Sequence, residues 1–296
     1  MKSGSLVGQA MALALAFSGL LACAGSSGAG DGAVTGKKFG AVIVWAPGLA
    51  TSTGAYYASA AFSDVPRLLH AGEFTSLRLG IGEPDGCTKS SVGACQVFRC
   101  SKLIEATSGA GTEPNVGAIT IAWPSPSAAD GGNSLPPSIT FGPDAYDTVY
   151  WGTATLVSRF TFSAAGATLP AFAPRDVDFP ELFDVTQVAG SPLIVGSPAV
   201  SRAADVPVAW TGGTGDAVLA LEQTDFATGR DVLGVCRAAA SAGTFTIPAG
   251  VLGQFQPGDA SLAASVVSKQ TVASGDHATT LAIASPVVYG FPLTIE

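Results

Sequence analysis

Charge is scarce in this 296-residue chain, because lysine, arginine, aspartate and glutamate make up only 12% of its residues. An ordinary soluble domain has about 25%. The fourteen basic residues are scattered, and Lys37-Lys38 is their only adjacent pair. Nucleic-acid binding requires clustered positive charge, so this composition, with its net charge of −8, excludes a nucleic-acid partner.

Histidine is also scarce, since the chain contains only His70 and His277. The sequence has no Gly-x-Ser-x-Gly elbow, no His-Glu-x-x-His motif and no phosphate-binding glycine loop before a helix. His277 follows Asp276 directly, but neighbours on a turn usually point apart, so we expect His277 to be a solvated turn residue and His70 to have no special role. The sequence therefore predicts a protein that is not an enzyme, with no cofactor and no histidine-based metal site.

Long apolar runs are missing except for Leu6–Ala22, which follows the positive charge of Lys2. This stretch is too short for a comfortable membrane helix of ~20 residues and is typical of a signal peptide. It ends in Leu20-Leu21-Ala22-Cys23, which resembles a bacterial lipobox with a less usual Leu21. The resemblance implies cleavage before Cys23, diacylglycerol on its sulfur and acylation, such as with palmitate, of the new amino terminus. The alternative is a plain signal peptide that is cut near Ala22 or Ala24.

The predicted anchor defines the first two segments of the chain. Residues 1–22 are the expected lipoprotein signal peptide, and residues 23–36 are a Gly/Ser/Ala-rich segment expected to be a flexible tether. Ala24 rather than an aspartate follows Cys23, which resembles the pattern that sorts Gram-negative lipoproteins to the outer membrane. We therefore expect an outer-membrane lipoprotein that faces the periplasm or is exposed at the cell surface.

Cysteine is limited to Cys23 and four others, which are Cys87, Cys95, Cys100 and Cys236. An even number in an exported chain predicts disulfide bonds. Three of the four lie close together, so we expect at least one local bond, and a bond from Cys236 that joins the two halves of the chain. Cys87–Cys95 with Cys100–Cys236 is the favoured pairing of the three that are allowed. A zinc site is the competing interpretation, but the spacings are not Cys-x-x-Cys and no histidine is near.

Glycine and proline, in contrast, are abundant, with 37 and 19 residues. Short β-branched or alternating apolar segments lie between turn-forming residues, and long amphipathic helices are missing, which predicts an all-β protein. A boundary near Phe179-Pro180-Glu181 divides it into an N-terminal β domain, residues 37–180, and a C-terminal β-sandwich, residues 181–296. The expected fold is therefore two β-sandwich-like domains.

The expected strands are short and closely spaced on both sides of this boundary. Before it they are Ala41–Trp45, Ser76–Ile81, Cys95–Cys100 and Val116–Trp123, with Gly166–Phe172 and Val177–Pro180 as proline-containing sheet edges. After it they are Leu182–Val188, Leu193–Val195, Val206–Trp210, Asp216–Gln223, Asp231–Arg237, Gly243–Ile247, Ser261–Gln270 and Thr279–Tyr289. Pro248 is expected to begin one helical turn. Val206–Trp210 resembles the strand of immunoglobulin- and fibronectin-like sandwiches in which a tryptophan lies across the core.

Three groups of residues carry a broader resemblance. They are Gly93–Cys100, Leu169–Phe172 with Phe179-Pro180, and Val208–Trp210 with Cys236 and Gly243–Ala249. Together they resemble a group of Gly/Ala-rich secreted lipoproteins of myxobacteria and their relatives. These motifs mark strands, turns and cysteines, so the resemblance implies export and β structure but no particular chemistry.

Acidic residues suggest two alternatives. Asp176 and Asp178 are two apart on an extended segment, so they share one side, and with Asp144 and Asp147 they could bind Ca²⁺. The loop Asp130–Asn133 has similar chemistry. The 22 acids also permit the carboxylate pair of a hydrolase.

Aromatic residues could bind sugars if they were exposed. Tyr146–Trp151 is the densest cluster, and the remaining candidates are Trp45, Trp123, Trp210, Tyr56 and Tyr57. Tryptophans within short apolar strands are more typical of a core. We therefore predict a lipid-anchored cell-envelope protein, a non-enzymatic structural, adhesion or ligand-binding module whose partner is a carbohydrate or a protein at the cell surface. The alternatives are a secreted carboxylate-dependent hydrolase of polysaccharide or peptide, and a calcium-dependent adhesin.

Overall fold

Strands make up nearly all the regular structure of the computed structural model, which confirms the all-β prediction. The structure describes residues 37–47, 54–64, 78–84, 86–101, 114–124, 138–143, 149–154, 157–181, 183–192, 197–225, 230–287 and 291–296. The strands before residue 180 are β1 (Lys38–Pro47), β2 (Gly54–Phe62), β3 (Cys87–Val92), β4 (Cys95–Cys100), β5 (Ile119–Ala122), β6 (Ser138–Phe141), β7 (Val149–Ala154), β8 (Arg159–Ala164) and β9 (Phe172–Asp178). Those after it are β10 (Phe183–Val188), β11 (Ser191–Pro192), β12 (Ala199–Val200), β13 (Val206–Gly212), β14 (Asp216–Asp225), β15 (Arg230–Ala239), β16 (Thr244–Ile247), β17 (Gly258–Ser274), β18 (His277–Val287) and β19 (Phe291–Ile295).

In the described ranges, two short helical segments that connect these strands have defined bounds. A 3₁₀ turn spans Ala240–Ala242, and the helix α1 spans Ala249–Leu252. Pro248 occupies the N-cap position of α1, which confirms the predicted helical turn. None of the helices in the described ranges is long and apolar enough to cross a membrane.

One large sheet of eleven strands organises the described residues. Its main order is β3-β4-β15-β14-β17-β18-β1-β2-β7, with β19 beside β17 and β12 beside β19. Neighbours are antiparallel except for β1 with β18 and β12 with β19. Two sheets of four strands, in the orders β11-β10-β13-β16 and β6-β5-β8-β9, complete the fold. β9 lies at a sheet edge. The predicted edge segments Gly166–Phe172 and Val177–Pro180 coincide with it only at its ends, because residues 165–171 form no strand and β9 spans Phe172–Asp178.

The apolar side chains form two cores on one face of the large sheet. The first contains the buried residues of β10, β13 and β16, among them Phe183 and Trp210. The second contains the buried residues of β5, β8 and β9, among them Phe160 and Phe162. In β1, Val42 and Val44 belong to this second core. Each four-stranded sheet is therefore packed on the large sheet in a sandwich-like arrangement.

The opposite face of the large sheet is buried as well. Ile43 and Trp45, which alternate with the second-core residues of β1, belong to a third core, as do Val218 and Ala220 of β14. Successive residues of a strand point to opposite faces, so the large sheet has apolar side chains on both. Many third-core members are alanine, a side chain small enough for close packing.

The boundary predicted near Phe179-Pro180-Glu181 separates the two four-stranded sheets and their cores, but the large sheet crosses it. The second core draws most of its residues from before the boundary, and the first core draws most from after it. The large sheet combines both halves, because β1 pairs with β18 and β4 pairs with β15. Residues 34–296 accordingly form one compact unit. The pairing of strands far apart in the chain therefore joins the two predicted segments in one sheet.

The predicted strand Ser76–Ile81 is wrong from Arg78 onward, where the chain turns. Gly80 and Gly82 have φ angles of 66° and 80°, which glycine adopts readily and which interrupt an extended segment. Leu79 and Ile81 are still buried, in the third core. The alternation of apolar residues therefore predicts their burial correctly but not the strand. The expected strand Leu193–Val195 lies outside the described residues.

Candidate functional site: a polar cleft at the end of the large sheet

A cleft of about 1310 Å³ lies where four strands of the large sheet end or begin. The ends of β4 and β14 and the starts of β15 and β17 line it, together with the loop of residues 253–257. Its charged lining residues are Arg99, Glu222, Arg230, Asp231 and Asp259. The rest are mostly amides, hydroxyls, glycine and backbone, and no aromatic residue is among the lining residues that the structure describes. This part of the lining can therefore form many hydrogen bonds and ionic contacts but contains no ring for stacking.

The cleft exists because β14 and β17 separate at one end. They pair from Asp216–Val267 as far as Glu222–Ser261. Beyond that point β14 continues beside β15 as far as Asp225–Arg230. On the other side, β17 pairs with β19 from Gly258–Ile295. At this end β14 thus stays paired with β15, and β17 stays paired with β19. The sides of β14 and β17 that face each other are unpaired over three residues in each strand, 223–225 and 258–260. We call this gap the β14–β17 wedge.

The side chain of Gln223 spans the inner end of the wedge. Its oxygen accepts a hydrogen bond from the Gln256 amide at 2.7 Å. Its nitrogen donates to the carbonyls of Gln256 and Asp259 at 2.9 and 3.3 Å. Gln223 is buried, so these bonds satisfy polar groups that would otherwise be costly to bury. One side-chain amide thus replaces the strand pairing that ends at Glu222.

An ionic cluster lies beside the wedge. Two of the three guanidinium nitrogens of Arg78 contact Glu222: Nη2 donates to Oε2 at 2.6 Å and Nε donates to Oε1. Glu222 and Asp231 lie on the face of the sheet that carries the third core, because Ala220 and Leu233, two residues away in each strand, belong to that core. Burial raises the pKa of Glu222 above its ordinary value of 4.5, against the effect of Arg78, and the charge of Asp231 raises it further. The cluster thus has two carboxylates and one arginine in a partly buried position.

The disulfide bonds lie next to the cleft, and the favoured pairing from the sequence is wrong. The structure pairs Cys87 with Cys100 and Cys95 with Cys236. Cys87 lies opposite Cys100 in the β3–β4 hairpin, and Cys95 lies opposite Cys236 across β4 and β15. Cys95 and Cys100 are five residues apart, so they point to opposite faces of β4. One bond forms on each face, and register rather than proximity in sequence selects the partners.

The two broader expectations about the cysteines are confirmed. Cys87–Cys100 is local, with a sequence separation of 13. Cys95–Cys236 joins the two halves of the chain across a separation of 141. Cys100 also lines the cleft. The cleft wall formed by β4 is therefore held covalently to β3 and to β15.

His277 is not solvated, contrary to the prediction. Its relative exposure is 0%, because the hairpin turn at Gly275-Asp276 places it on β18 with its side chain inside the fold. Its Nδ1 lies 2.9 Å from the Asp276 carboxylate, so these neighbours do contact each other. The Ser274 hydroxyl donates to the Pro170 carbonyl at 2.7 Å, and within the described residues His277 Nε2 has no hydrogen-bond partner. The three side chains therefore do not form a catalytic triad. His70 lies outside the described residues.

The acidic pair on β9 binds an arginine. Asp176 and Asp178 share one side of the strand, as predicted, and both contact Arg159, at 3.3 and 2.9 Å. No group of three or more His, Cys, Asp or Glu side chains in the described part of the chain could hold a metal ion. Asp144, Asp147 and the loop Asp130–Asn133 lie outside that part.

The described tryptophans are core residues. Trp45 stacks on Tyr57 with ring centroids 5.6 Å apart, and Trp123 packs edge-on against Phe160. Trp210 lies in the first core, where its Nε1 donates to the Ala240 carbonyl at 2.7 Å. The three tryptophan side chains are at most 5% exposed and cannot form a sugar-binding surface. Tyr146 and the side chains of Tyr150 and Trp151 lie outside the described part of the structure.

The cleft must be interpreted from its own chemistry. Neither a comparison with protein-family models nor one with curated proteins finds a match for the chain. The residues that build the cleft were not singled out in the sequence, although one signal is present there. Glu222, Gln223 and Thr224 directly follow the apolar run Ala217–Leu221, and polar residues that continue a buried strand mark a place where its surroundings change.

Proposed function

We propose that this chain is a lipid-anchored protein of the cell envelope that binds a ligand without chemical turnover. The observation that carries the proposal is the polar cleft, in a β-sandwich body held by two disulfide bonds. Disulfide bonds persist in oxidising compartments, which supports export. Hydrogen-bonding groups and charges of both signs around one concave site support binding rather than a purely structural role.

Two finer assignments belong to the same proposal. One is an immunoglobulin-like organisation of residues 181–296, which is supported by the position of Trp210 in the first core. The other is the likeness to secreted myxobacterial lipoproteins, which rests on the sequence motifs alone. In this proposal Cys23 carries the lipid, and the protein lies at the outer membrane.

Replacing Cys23 by serine tests the anchor. We expect the variant to move from the membrane fraction to the soluble fraction, because a serine hydroxyl does not take the place of the cysteine sulfur as lipid acceptor. Two or three acyl chains hold a protein durably, since each buried CH₂ contributes ~0.8 kcal/mol. The measurement is fractionation in a Gram-negative host, combined with the intact mass of the unmodified protein.

A matched control is Ser26→Ala, which changes the tether but leaves the acceptor intact and should remain in the membrane. The unmodified chain should have the mass of residues 23–296 plus acyl chains. The anchor is refuted if Cys23→Ser remains in the membrane at the level of the unmodified protein, or if that protein carries no lipid.

A secreted hydrolase is the second candidate, and one observation favours it. The raised pKa of Glu222 next to Asp231 is the combination that an acid catalyst needs. The two-bond contact with Arg78 favours an ionised, structural carboxylate instead. If the chain is a hydrolase, Glu222→Gln should abolish turnover on a panel of cell-wall glycans and peptides. We expect no turnover from the unmodified protein on the same panel.

A further inference from the structure

We propose that the β14–β17 wedge binds a short peptide in an extended conformation, through backbone hydrogen bonds. The proposal rests on the binding function proposed above and names its ligand class. Four observations support it: the open inner sides of two strands, the amide that already bridges them, the shape and lining of the cleft, and its charge distribution.

The first observation is the backbone that faces the wedge. Continuing the register of Glu222–Ser261 would place Thr224 opposite Asp259. The Asp259 carbonyl points into the gap, since it accepts a bond from Gln223. The N–H and C=O of one residue in a strand point to the same side, and those of residues two apart point alike. The Asp259 N–H and both backbone groups of Thr224 therefore face the wedge, as at the edge of a sheet that can accept another strand.

The second observation is the bridging amide of Gln223. A primary amide offers the same carbonyl acceptor and N–H donor as a peptide bond. Within the wedge its oxygen accepts from one backbone amide, and its nitrogen donates to two backbone carbonyls. The inner end of the wedge thus already contains an amide held by backbone groups. A bound peptide would extend the same pattern outward, which is strand addition.

The third observation is the chemistry of the lining. The volume of about 1310 Å³ exceeds the 300–1,000 Å³ typical of pockets for small ligands, so several residues of an extended chain can enter. Among the residues that the structure describes, the lining contains no aromatic residue, so this part of the cleft lacks the ring that sugar binding commonly uses. Hydrogen bonding to a polar backbone is the recognition that its residues favour.

The fourth observation is the distribution of charge. By strand alternation, Arg99 and Arg230 lie on the first-core face at the ends of β4 and β15. The carboxylates of Glu222, Asp231 and Asp259 lie on the third-core face. A short peptide with free termini carries a carboxylate at one end and an ammonium at the other. Its carboxylate would contact the arginines on one face, and its ammonium would contact a carboxylate on the other, so that both termini are recognised by charge.

Tetraalanine with free termini is the probe, because its methyl side chains contribute little to recognition and its binding therefore reports on the peptide backbone and termini. The full chain is titrated while the backbone amide resonances of Thr224 and Asp259 are followed. We expect saturable shifts at both.

Methylating the internal nitrogens of the peptide should weaken binding at least about tenfold, since it removes the donors. Arg230→Gln should weaken tetraalanine but leave its carboxyl-amidated form unchanged, whereas Arg175→Gln, an exposed arginine on β9, should change neither.

Three results would overturn the proposal: no shift at millimolar tetraalanine, equal affinity for the methylated peptide, or shifts with cellotetraose where tetraalanine is inert. None of these results would change the outcome of the Cys23→Ser experiment. A failure of the peptide proposal can therefore be distinguished from a failure of the proposed lipid anchor. Conversely, a protein that stays in the membrane without Cys23 but binds tetraalanine would overturn only the anchor.

Discussion

Replacing Cys95 and Cys236 together by alanine is expected to lower the free energy of unfolding by about 5 kcal/mol. The bond closes a loop with a sequence separation of 141, and the loss of chain entropy on closing such a loop corresponds to roughly that value. Both sulfurs are buried in the first core. The measurement is the denaturant midpoint and slope of the double variant against the unmodified protein under non-reducing conditions.

The matched control is the double variant Cys87→Ala with Cys100→Ala. This bond closes a loop with a separation of only 13, for which the same relation gives about 3 kcal/mol. It also lies in the β3–β4 hairpin, in which β3 is an edge strand of the large sheet. Equal losses for the two pairs, or a larger loss for the hairpin pair, would contradict the role of Cys95–Cys236 as the bond that joins the two halves.

Replacing Arg78 by alanine is expected to lower the free energy of unfolding by about 3 kcal/mol. The change leaves Glu222, whose side chain is only 13% exposed, without the guanidinium that donates to both of its oxygens. Removing one partner of a buried ion pair leaves the desolvation cost of the other uncompensated. Chemical denaturation of the variant at neutral pH measures this loss.

An exposed ion pair provides the comparison. Lys89→Ala breaks the contact with Glu83, whose members are 35% and 42% exposed, and should cost only about 0–1 kcal/mol. The double variant Arg78→Met with Glu222→Met should recover most of the stability lost in Arg78→Ala, because it removes both charges together. If Arg78→Ala costs no more than Lys89→Ala, the Arg78–Glu222 pair does not stabilise the cleft.

The same pair gives the sign of a pH dependence. The pKa of Glu222 is raised in the folded protein, chiefly by burial, so the folded state keeps this proton to a higher pH than the unfolded chain does. The stability contributed by the protonated form is complete below the ordinary pKa of 4.5 and is lost as pH rises through the folded pKa. We therefore expect the unmodified protein to lose stability relative to Glu222→Gln, which cannot ionise, as the pH rises from 4.5 through the folded pKa of Glu222. A difference that stays constant or increases with pH would contradict the buried position of this carboxylate.

Local patterns predict the elements of this fold well. Seven of the expected C-terminal segments correspond to β10, β13, β14, β15, β16, β17 and β18, because alternation and turn residues act within a few positions. The wrong strand Ser76–Ile81 also has a local cause. Apolar alternation marks Leu79 and Ile81 for burial, but glycines with positive φ make the segment a turn.

Relations between distant residues were not predictable in the same way. The partners Cys95 and Cys236 are chosen by the register of β4 against β15, and register depends on the whole sheet. His277 is buried because the β17–β18 hairpin directs its side chain inward, although its neighbours in sequence suggest an exposed turn. Arg78 and Glu222 lie 144 residues apart and meet only after the large sheet has assembled.

The sequence by itself thus determined the class of fold and the even set of cysteines, and it predicts a lipid anchor that the Cys23→Ser variant tests. Each of these follows from composition or from spacing over a few residues. Only the tertiary structure decided which strands share the large sheet, which cysteines pair and where a cleft opens. The physical reason is that the cleft is made by strands that stop pairing, and the point at which two strands part is set by their partners on either side. In the sequence, Gln223 is one more polar residue near the end of a strand. In the structure, its side chain bridges the separated ends of β14 and β17 and therefore belongs to a candidate binding site.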